Sequence, residues 1–380
     1  MKKIVLSVMM LAAVLGGSCA QKVTASKTAS QNTATKAAQT PAERPSRGLL
    51  FFASYDERDN DIVKTNPYII GALRTIKWSD IEPQEGKFDW SSIDDFIASW
   101  ASAGKGIALR MQWSTSGYWK DPQSKTPTPQ WVWKKGAKYA YHEPSETEIP
   151  LFWDPIYLQY AYRFLGEVAK RYDNNPHVLF IDITPGAETN PFRFRTINNL
   201  DPSFKATFEK TPASDGRTYT DRLWQTTILD YIGTATALFK SLPTEIALNR
   251  GTLNEGNNFE LFGNKAVECG MYIGQNGLSA KRYGANEASK VAILKNWADH
   301  TKIFFEMVAG TRNDETGSLQ GVMEAAMRGY CSYLNVYADD VIAGTKGSAT
   351  YKPEYEQALK FGAENLGKTE NPEKAENSGR

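Results

Sequence analysis

Short apolar runs alternate with amphipathic stretches between residues 48 and 363 of the chain. Each run is bounded by Gly, Pro or polar residues and is rich in Ile, Val, Phe, Tyr or Leu, as is typical of buried parallel strands. The sequence predicts eight strands of this kind: Leu49–Tyr55, Ala72–Trp78, Gly106–Trp113, His177–Thr184, Thr244–Arg250, Gly270–Asn276, Lys302–Val308 and Cys331–Tyr337.

The amphipathic stretches between these runs predict helices. Their bounds are Trp90–Ala103, Pro155–Arg171, Thr220–Leu242, Glu287–Trp297, Gly317–Arg328 and Pro353–Phe361, with two further helices near Ile62–Tyr68 and Asn258–Lys265. Pro155 and Pro353 suit the first turn of a helix, and Asp154 is a candidate N-cap.

Eight strand–helix units predict an α/β fold, a single (β/α)8 TIM barrel with insertions. The alternative is a doubly wound sheet, but no Gly-rich phosphate loop follows the first run. Long insertions follow the third and fourth runs, at Ser114–Asp154 and Pro185–Tyr219. Because loops after strands lie on the catalytic face of such a barrel, we expect these two insertions to wall a substrate cleft.

The N-terminus has the pattern of an export signal. Lys2 and Lys3 precede an apolar run, Ile4–Leu15, that is too short to span a bilayer. Small residues and then Cys19 follow, which resembles the lipobox of bacterial lipoproteins and implies lipidation of Cys19 and attachment to a membrane. Ordinary cleavage after Ala20 is the alternative.

The remaining terminal segments are polar and lack helical or strand periodicity. The predicted organisation is a signal peptide at 1–18, a disordered tether at 19–47, a barrel domain at 48–363 and a disordered tail at 364–380.

Charge and composition argue against several classes of partner and site. The chain has 44 Lys and Arg against 43 Asp and Glu, a formal net charge of +1. Such a chain has no strong positive electrostatic field that would attract nucleic acid. His142, His177 and His300 are predicted on a loop, at a strand start and at a helix end, so no metal site or Ser-His-Asp triad is expected. We expect no cofactor.

Two glutamates lie at the carboxyl ends of predicted strands. Glu188 follows the fourth run, and Glu306 stands near the end of the seventh, inside an apolar segment where an ionisable group is costly unless it is paired or functional. Two carboxylates over one barrel mouth suit cleavage of a glycosidic bond. Asp182 is a rival for Glu188, and a salt bridge of Glu306 with Arg110 or Arg250 is the structural alternative.

The second unit carries a family resemblance. Its segment Trp78-Ser-Asp-Ile-Glu-Pro-Gln-Glu-Gly-Lys-Phe-Asp-Trp90 resembles the W-x-x-x-E-P-x-x-G-x-F-D-W stretch of family 42 glycosidases in the (β/α)8 clan A of retaining glycoside hydrolases. The resemblance implies that Glu188 is the acid/base and Glu306 the nucleophile. Clan A enzymes usually have Asn before the acid/base, whereas this chain has Ala187, so Asn190 is a candidate to replace that Asn.

Aromatic and polar residues near the predicted strand ends are candidates for sugar binding. Eight of the ten Trp lie between Trp78 and Trp153, and flat rings can cover the apolar faces of sugars. The candidate substrate-binding residues are Trp113, Trp119, Arg110, Asn190, Asn249, Arg250, Gln275, Asn276 and Tyr337. Because side chains alternate along a strand, only some can point inward.

Three functions stay open at this stage. The first is an exported, retaining glycoside hydrolase that acts on a poly- or oligosaccharide. The second is a non-catalytic glycan-binding protein on a degenerate barrel, which Ala187 would favour. The third is a barrel enzyme of another chemistry, such as a lyase or transglycosylase. For Arg110 and Arg250, binding of an anionic sugar and pairing with Glu306 are both compatible with the sequence, and we favour the pairing.

Overall fold

A computed structural model describes residues 44–52, 61–114, 127–143, 146–186, 189, 195–196, 199–200, 202–248 and 258–368. Eight parallel strands close into a barrel in which each strand pairs with the next along the chain and the last pairs with the first. The strands are β1 Gly48–Phe52, β2 Ile69–Lys77, β3 Gly106–Gln112, β4 Val178–Asp182, β5 Thr244–Ala247, β6 Tyr272–Leu278, β7 Ile303–Met307 and β8 Tyr333–Tyr337. The predicted (β/α)8 barrel is confirmed, and each predicted run overlaps one strand.

Helices surround the barrel. They are α1 Asp61–Lys64, α2 Trp78–Ile81, α3 Ser91–Ser102, α4 Gln130–Lys134, α5 Pro155–Tyr172, α6 Pro202–Lys210, α7 Asp221–Thr236, α8 Asn258–Glu268, α9 Ala288–Ala298, α10 Leu319–Arg328, α11 Ala338–Ala343 and α12 Pro353–Asn365. Each predicted helix is present, although α7 ends at Thr236 rather than Leu242. Among the described helices, none is long and apolar enough to cross a bilayer.

The described parts of the two long insertions contain structure that the sequence did not predict. Helix α4 and an antiparallel pair of strands, Tyr139–His142 with Thr147–Pro150, lie in the first insertion, and helix α6 lies in the second. His142 was expected on a loop and instead lies in the first of these strands, so that expectation is wrong. Its side chain is buried, edge-on to the ring of Phe204 in α6.

Asp154 connects both insertions to the barrel wall. As predicted, it caps α5: Oδ1 accepts from the backbone N–H groups of Ile156 and Tyr157, at 2.9 and 3.0 Å. Its Oδ2 accepts from the N–H of Lys138 in the first insertion and of Ser214 in the second, at 3.2 and 2.6 Å. One fully buried carboxylate therefore fixes the two insertions relative to each other.

Apolar side chains form an inner and an outer layer, because successive residues of a strand point to opposite faces. The inner cluster fills the barrel and consists of Leu50, Leu73, Ala108, Leu179, Phe180, Phe304 and Tyr333. The larger outer cluster lies between the strands and the helices and takes the alternate positions, such as Leu109, Ile181 and Phe305. The position of a residue along its strand therefore decides whether it can reach the barrel mouth.

The segment that resembles the family 42 stretch forms part of the barrel wall. Its Glu82 is fully buried and accepts from Nε1 of Trp78 at 2.8 Å and from the backbone N–H of Gly86 at 2.6 Å. The same carboxylate pairs with Arg163 of α5, and the carbonyl oxygen of Glu82 accepts from Nε1 of Trp131 at 3.0 Å. In this chain the motif glutamate thus joins the second and third units.

Arg44 lies at the N-terminal end of the barrel. Its guanidinium donates to the carbonyl oxygens of Val178 at 2.7 Å, Asn175 at 3.3 Å and Ser241 at 3.2 Å, all at or before the starts of β4 and β5. The hydroxyl of Tyr333 donates to the carbonyl oxygen of Pro45 at 2.5 Å. The chain therefore enters the barrel on the face opposite to the carboxyl ends of the strands.

Candidate active site

Polar side chains form a layer directly above the apolar inner cluster. Each lies two residues beyond an inner apolar residue and so shares its inward direction. The pairs are Ala108 and Arg110 on β3, Phe180 and Asp182 on β4, Phe304 and Glu306 on β7, and Tyr333 and Asn335 on β8. This polar layer faces the carboxyl ends of the strands, where barrel enzymes hold their catalytic groups.

Arg110 is the centre of the polar layer. Its Nη1 lies 2.6 Å from Oε2 of Glu306, and its Nε lies 2.7 Å from Oδ2 of Asp182. Burial by itself lowers the pKa of Arg110, but the neighbouring carboxylates outweigh burial and raise that pKa above its ordinary value. Arg110 is therefore a permanent cation, and the pairing with Glu306 that the sequence favoured is present.

Asp182 is fixed by its neighbours. Its Oδ1 accepts from the backbone N–H of Thr184 at 2.9 Å and from the Thr184 hydroxyl at 2.5 Å. The Thr184 hydroxyl oxygen in turn accepts from the N–H of Ala247 on β5 at 2.7 Å. With Arg110 on its other oxygen, Asp182 acts as a support between β3, β4 and β5.

Glu306 is held from two strands. Its Oε2 accepts from Nδ2 of Asn335 at 3.0 Å in addition to Arg110. Asn276 on β6 and Asn335 on β8 are its register neighbours. Hydrogen bonds from a guanidinium and an amide fix the direction of this carboxylate, as a nucleophilic carboxylate requires.

Glu245 is a third carboxyl group in the polar layer and is not among the site residues that the sequence predicts. It is fully buried on β5, beside Asp182 in register. Burial raises its pKa well above the ordinary value, and the charge of Asp182 raises it further. The signal that singled out Glu306, an ionisable residue within an apolar run, also marks Glu245 in Thr244–Arg250.

Two predicted substrate-binding residues remain near the barrel mouth besides Arg110. Tyr337 ends β8, and its ring lies edge-on to that of Phe52 on β1, with centroids 5.1 Å apart. Asn276 is partly buried on β6, beside Glu306. Both positions are compatible with contact to a ligand above the polar layer.

The expectation that Trp113 covers a sugar is wrong. Its side chain is fully buried, with the rings of Trp78, Phe152 and Phe164 around it at centroid distances of 5.9, 6.3 and 6.5 Å. Trp113 follows Gln112, the last residue of β3, and belongs to the outer cluster. Its ring therefore packs between the barrel and the helices and leaves no face for a ligand.

The expectation for Gln275 is also wrong. Its Nε2 donates to the carbonyl oxygen of Leu248 at 3.3 Å, and its Oε1 accepts from the hydroxyl of Tyr283 at 2.7 Å. Tyr283 stacks on Phe305 of the outer cluster, so Gln275 points towards the helices. Alternation along β6 turns Gln275 outward because its neighbour Gly274 faces the barrel interior.

Several predicted functional residues lie outside the described residues: Cys19, Trp119, Glu188, Asn190, Asn249 and Arg250. Among the residues that the structure describes, no group of three or more His, Cys, Asp or Glu side chains is arranged to hold a metal ion.

The glycoside hydrolase family 42 (β-galactosidase) model matches residues 56–207. This segment includes Arg110, Asp182 and Glu188 and ends before Glu306. The β-galactosidase BbgII of Bifidobacterium bifidum is 29% identical over 112 residues, which are 27% of this chain and only 14% of that protein.

Solved structures with the same fold cover most of the chain. The catalytic domain of a β-amylase from Paenibacillus polymyxa has a TM-score of 0.59 at 10% identity and covers 85% of this chain and 99% of its own. A β-galactosidase from the haloarchaeon Halorubrum lacusprofundi has a TM-score of 0.50 at 12% identity and covers 83% of this chain and 58% of its own. The chain therefore forms a single (β/α)8 barrel, and its match to the glycoside hydrolase family 42 model covers residues 56–207.

Proposed function

We propose that the chain is an exported glycoside hydrolase that cleaves O-glycosidic bonds of a poly- or oligosaccharide with retention of configuration. The observation that carries the proposal is Glu306, a carboxylate at the end of a barrel strand that is held by Arg110 and Asn335. The match of residues 56–207 to the family 42 model supports the same activity.

Exposure favours Glu306 as the reactive group among the three carboxyl groups of the polar layer. Its side chain is 12% exposed, against 3% for Asp182 and none for Glu245. Both oxygens of Asp182 are also occupied by hydrogen bonds from Arg110 and Thr184. Only Glu306 combines a fixed direction with access from the barrel mouth.

In the proposed reaction the Glu306 carboxylate attacks the anomeric carbon as the bond to the leaving oxygen breaks. Glu188 donates its proton to that oxygen, so that the first product leaves as an alcohol. Water then attacks the glycosyl–enzyme ester and gives a proton to Glu188, which releases the sugar and restores both carboxyl groups. Arg110 and Asn335 hold Glu306 in line during both steps.

The polar layer favours a neutral sugar. Two of the three nitrogens of the Arg110 guanidinium bond to carboxylates and the third is buried, so this cation is not exposed to a sulfated or uronic substituent. The family match makes a β-galactoside the first substrate to test.

The test uses a panel of 4-nitrophenyl glycosides with the wild type, Glu306→Gln and Glu315→Gln. Glu315 is an exposed residue of the loop after β7 and serves as the matched control. We expect turnover by the wild type and the control, and its loss in Glu306→Gln. Product anomers followed by NMR should show retention, and a 2-deoxy-2-fluoro glycoside of the accepted sugar should label Glu306, as peptide mass spectrometry would show.

The rival function is a glycan-binding protein. It would give no turnover on any glycoside or on a panel of polysaccharides, together with unchanged polysaccharide binding in Glu306→Gln. An inverted product anomer would instead retain the hydrolase and reject the nucleophilic role of Glu306.

We also propose that Cys19 carries a lipid and attaches the protein to a membrane at the cell surface or in the periplasm. Arg44 supports this arrangement, because the described end of the tether, at residues 44–47, lies on the face opposite to the candidate site. Labelling with a fatty-acid analogue in a bacterial host should mark the wild type and not Cys19→Ala, and the variant should leave the membrane fraction. Equal labelling of both proteins would reject lipidation at Cys19.

A further inference from the structure

Glu245 occupies an enclosed position inside the barrel. It is the second residue of β5, and its neighbour Ile246 belongs to the outer cluster, so Glu245 points inward. Its carboxyl group lies over Gly274 of β6, where a Cβ atom would overlap Oε1 of Glu245. Glycine at position 274 therefore provides the space for this side chain.

The groups that face Glu245 include one cation among the described residues. Arg110 faces it from β3, Asp182 from β4, Tyr272 from β6 and Glu306 from β7. Nε and Nη1 of Arg110 already bond to Asp182 and Glu306. Glu245 thus lies beside Asp182 and Glu306, which already share the one neighbouring cation, Arg110.

Neither oxygen of Glu245 accepts a hydrogen bond from a donor within the described part of the chain. Its one side-chain hydrogen-bonding contact among these residues is with the carboxylate of Asp182, and a hydrogen bond between two carboxyl groups requires that one of them carries a proton. An ionised carboxylate without a partner is very costly at full burial. Nη2 of Arg110 is likewise buried without a partner, so an ionised Glu245 would compete with Glu306 and Asp182 for this guanidinium.

We propose that Glu245 is a positioning residue, which holds a proton beneath the candidate site and thereby leaves the charge of Arg110 to Asp182 and Glu306. With Glu245 neutral, two carboxylates share one cation; with Glu245 ionised, three would. The guanidinium would then be drawn towards β5, and the hydrogen bond that directs Glu306 would weaken. The effect on turnover rests on the proposed hydrolase function, whereas the bound proton does not.

Infrared spectroscopy tests the proton without an activity assay. The wild type should show the carbonyl stretch of a protonated carboxylic acid at neutral pH, and the band should disappear only at a pH well above the usual range for Glu. Glu245→Gln should lack this band, whereas Glu315→Gln should keep it. Identical wild-type and Glu245→Gln spectra would overturn the proposal.

The pH dependence of kcat tests positioning on the glycoside that the wild type hydrolyses best. Glu245→Gln retains a neutral group of the same shape, so the ratio of its kcat to that of the wild type should stay constant through the pH range in which the wild type keeps the carboxylic-acid band. Above the pH at which the infrared band disappears, this ratio should rise by about tenfold, within the loss expected when a catalytic group is slightly displaced. Glu188 is present in both proteins, so its titration cancels in the comparison.

Superimposable pH profiles would overturn the positioning role, because a purely structural residue would give this result. Circular dichroism at each pH shows whether both proteins remain folded. Absence of turnover in the wild type would count against the proposed hydrolase function, and the infrared comparison would still decide whether Glu245 holds a proton.

Discussion

Nη1 of Arg110 lies 2.6 Å from Oε2 of Glu306, a contact that crosses the barrel interior from β3 to β7. The same guanidinium contacts Asp182 on the adjacent strand β4 through Nε. A planar cation with several donors can hold two carboxylates at fixed angles, which a single ammonium group cannot. The direction of Glu306 therefore depends on Arg110 and, through it, on Asp182.

Arg110→Lys tests this dependence. Lysine keeps the charge but offers one nitrogen, so we expect it to pair with one carboxylate and leave the other without a cation. The kcat on the accepted glycoside should fall by about tenfold to a hundredfold, since small displacements of a reacting group have effects of this size. Steady-state kinetics measures the loss, with circular dichroism as the control for folding. An unchanged kcat would show that charge alone is sufficient.

Glu245→Gln should change how stability depends on pH. The pKa of Glu245 is raised above its ordinary value of 4.5 by burial, so the folded protein keeps a proton that the unfolded chain releases. The stabilisation is complete below the unfolded pKa and is lost as pH rises through the folded pKa. Between these two values the wild type should lose up to about 1.4 kcal/mol per pH unit relative to the variant.

Urea unfolding of both proteins at a series of pH values measures this difference. The wild-type curve should fall relative to that of Glu245→Gln as the pH rises from the acidic range. Parallel stability curves would mean that Glu245 has the same pKa in the folded and unfolded chains, which would contradict its burial as a neutral acid.

The barrel could be predicted from the sequence because its strands lie within short apolar runs that alternate with helices. Each run is bounded by polar residues, Gly or Pro, and the alternation of strands and helices leaves few topologies. The unpredicted helices are short: α4 has five residues, and α6, in the second insertion, has nine. Their stability depends on tertiary contacts, such as those of Phe204 and Phe208 with His142 and Trp153.

The inward or outward direction of each side chain was harder to predict. A shift of one residue reverses the face that a side chain occupies, and the last residue of a strand could not be fixed from the pattern alone. The pattern predicts the position of Arg110 near the mouth correctly. It assigns Trp113 and Gln275 to the wrong face, because each stands one residue away from a position that points inward. Glu245 was overlooked because it stands early in its run, away from the strand end.

Glu82→Ala tests the structural role of the family-like segment. The variant leaves Nε1 of Trp78 and the N–H of Gly86 without their acceptor and removes the partner of Arg163. We expect a loss of about 3 kcal/mol, near the low end for a broken buried pair, because 33% of the Arg163 side chain is exposed.

Urea unfolding measures this loss, and Glu85→Ala is the matched control. Glu85 belongs to the same segment, but it is 38% exposed and pairs with an exposed lysine, so its removal should change stability little. Equal stability of the two variants would contradict the role of Glu82 as a link between the second and third units.

Trp113→Ala and Trp113→Phe separate packing from ligand binding. Because the ring is fully buried among Trp78, Phe152 and Phe164, its removal should destabilise the protein by about 3–5 kcal/mol. Phenylalanine should cost much less, since it keeps an aromatic ring and removes an Nε1 that has no hydrogen-bond partner among the described residues. Tyr141→Ala, at a position 42% exposed, is the surface control and should leave stability nearly unchanged. A lowered unfolding free energy for Trp113→Ala, together with an unchanged KM for Trp113→Phe, would place the contribution of Trp113 in the core. A raised KM for Trp113→Phe at unchanged stability would instead show that Trp113 contacts the sugar.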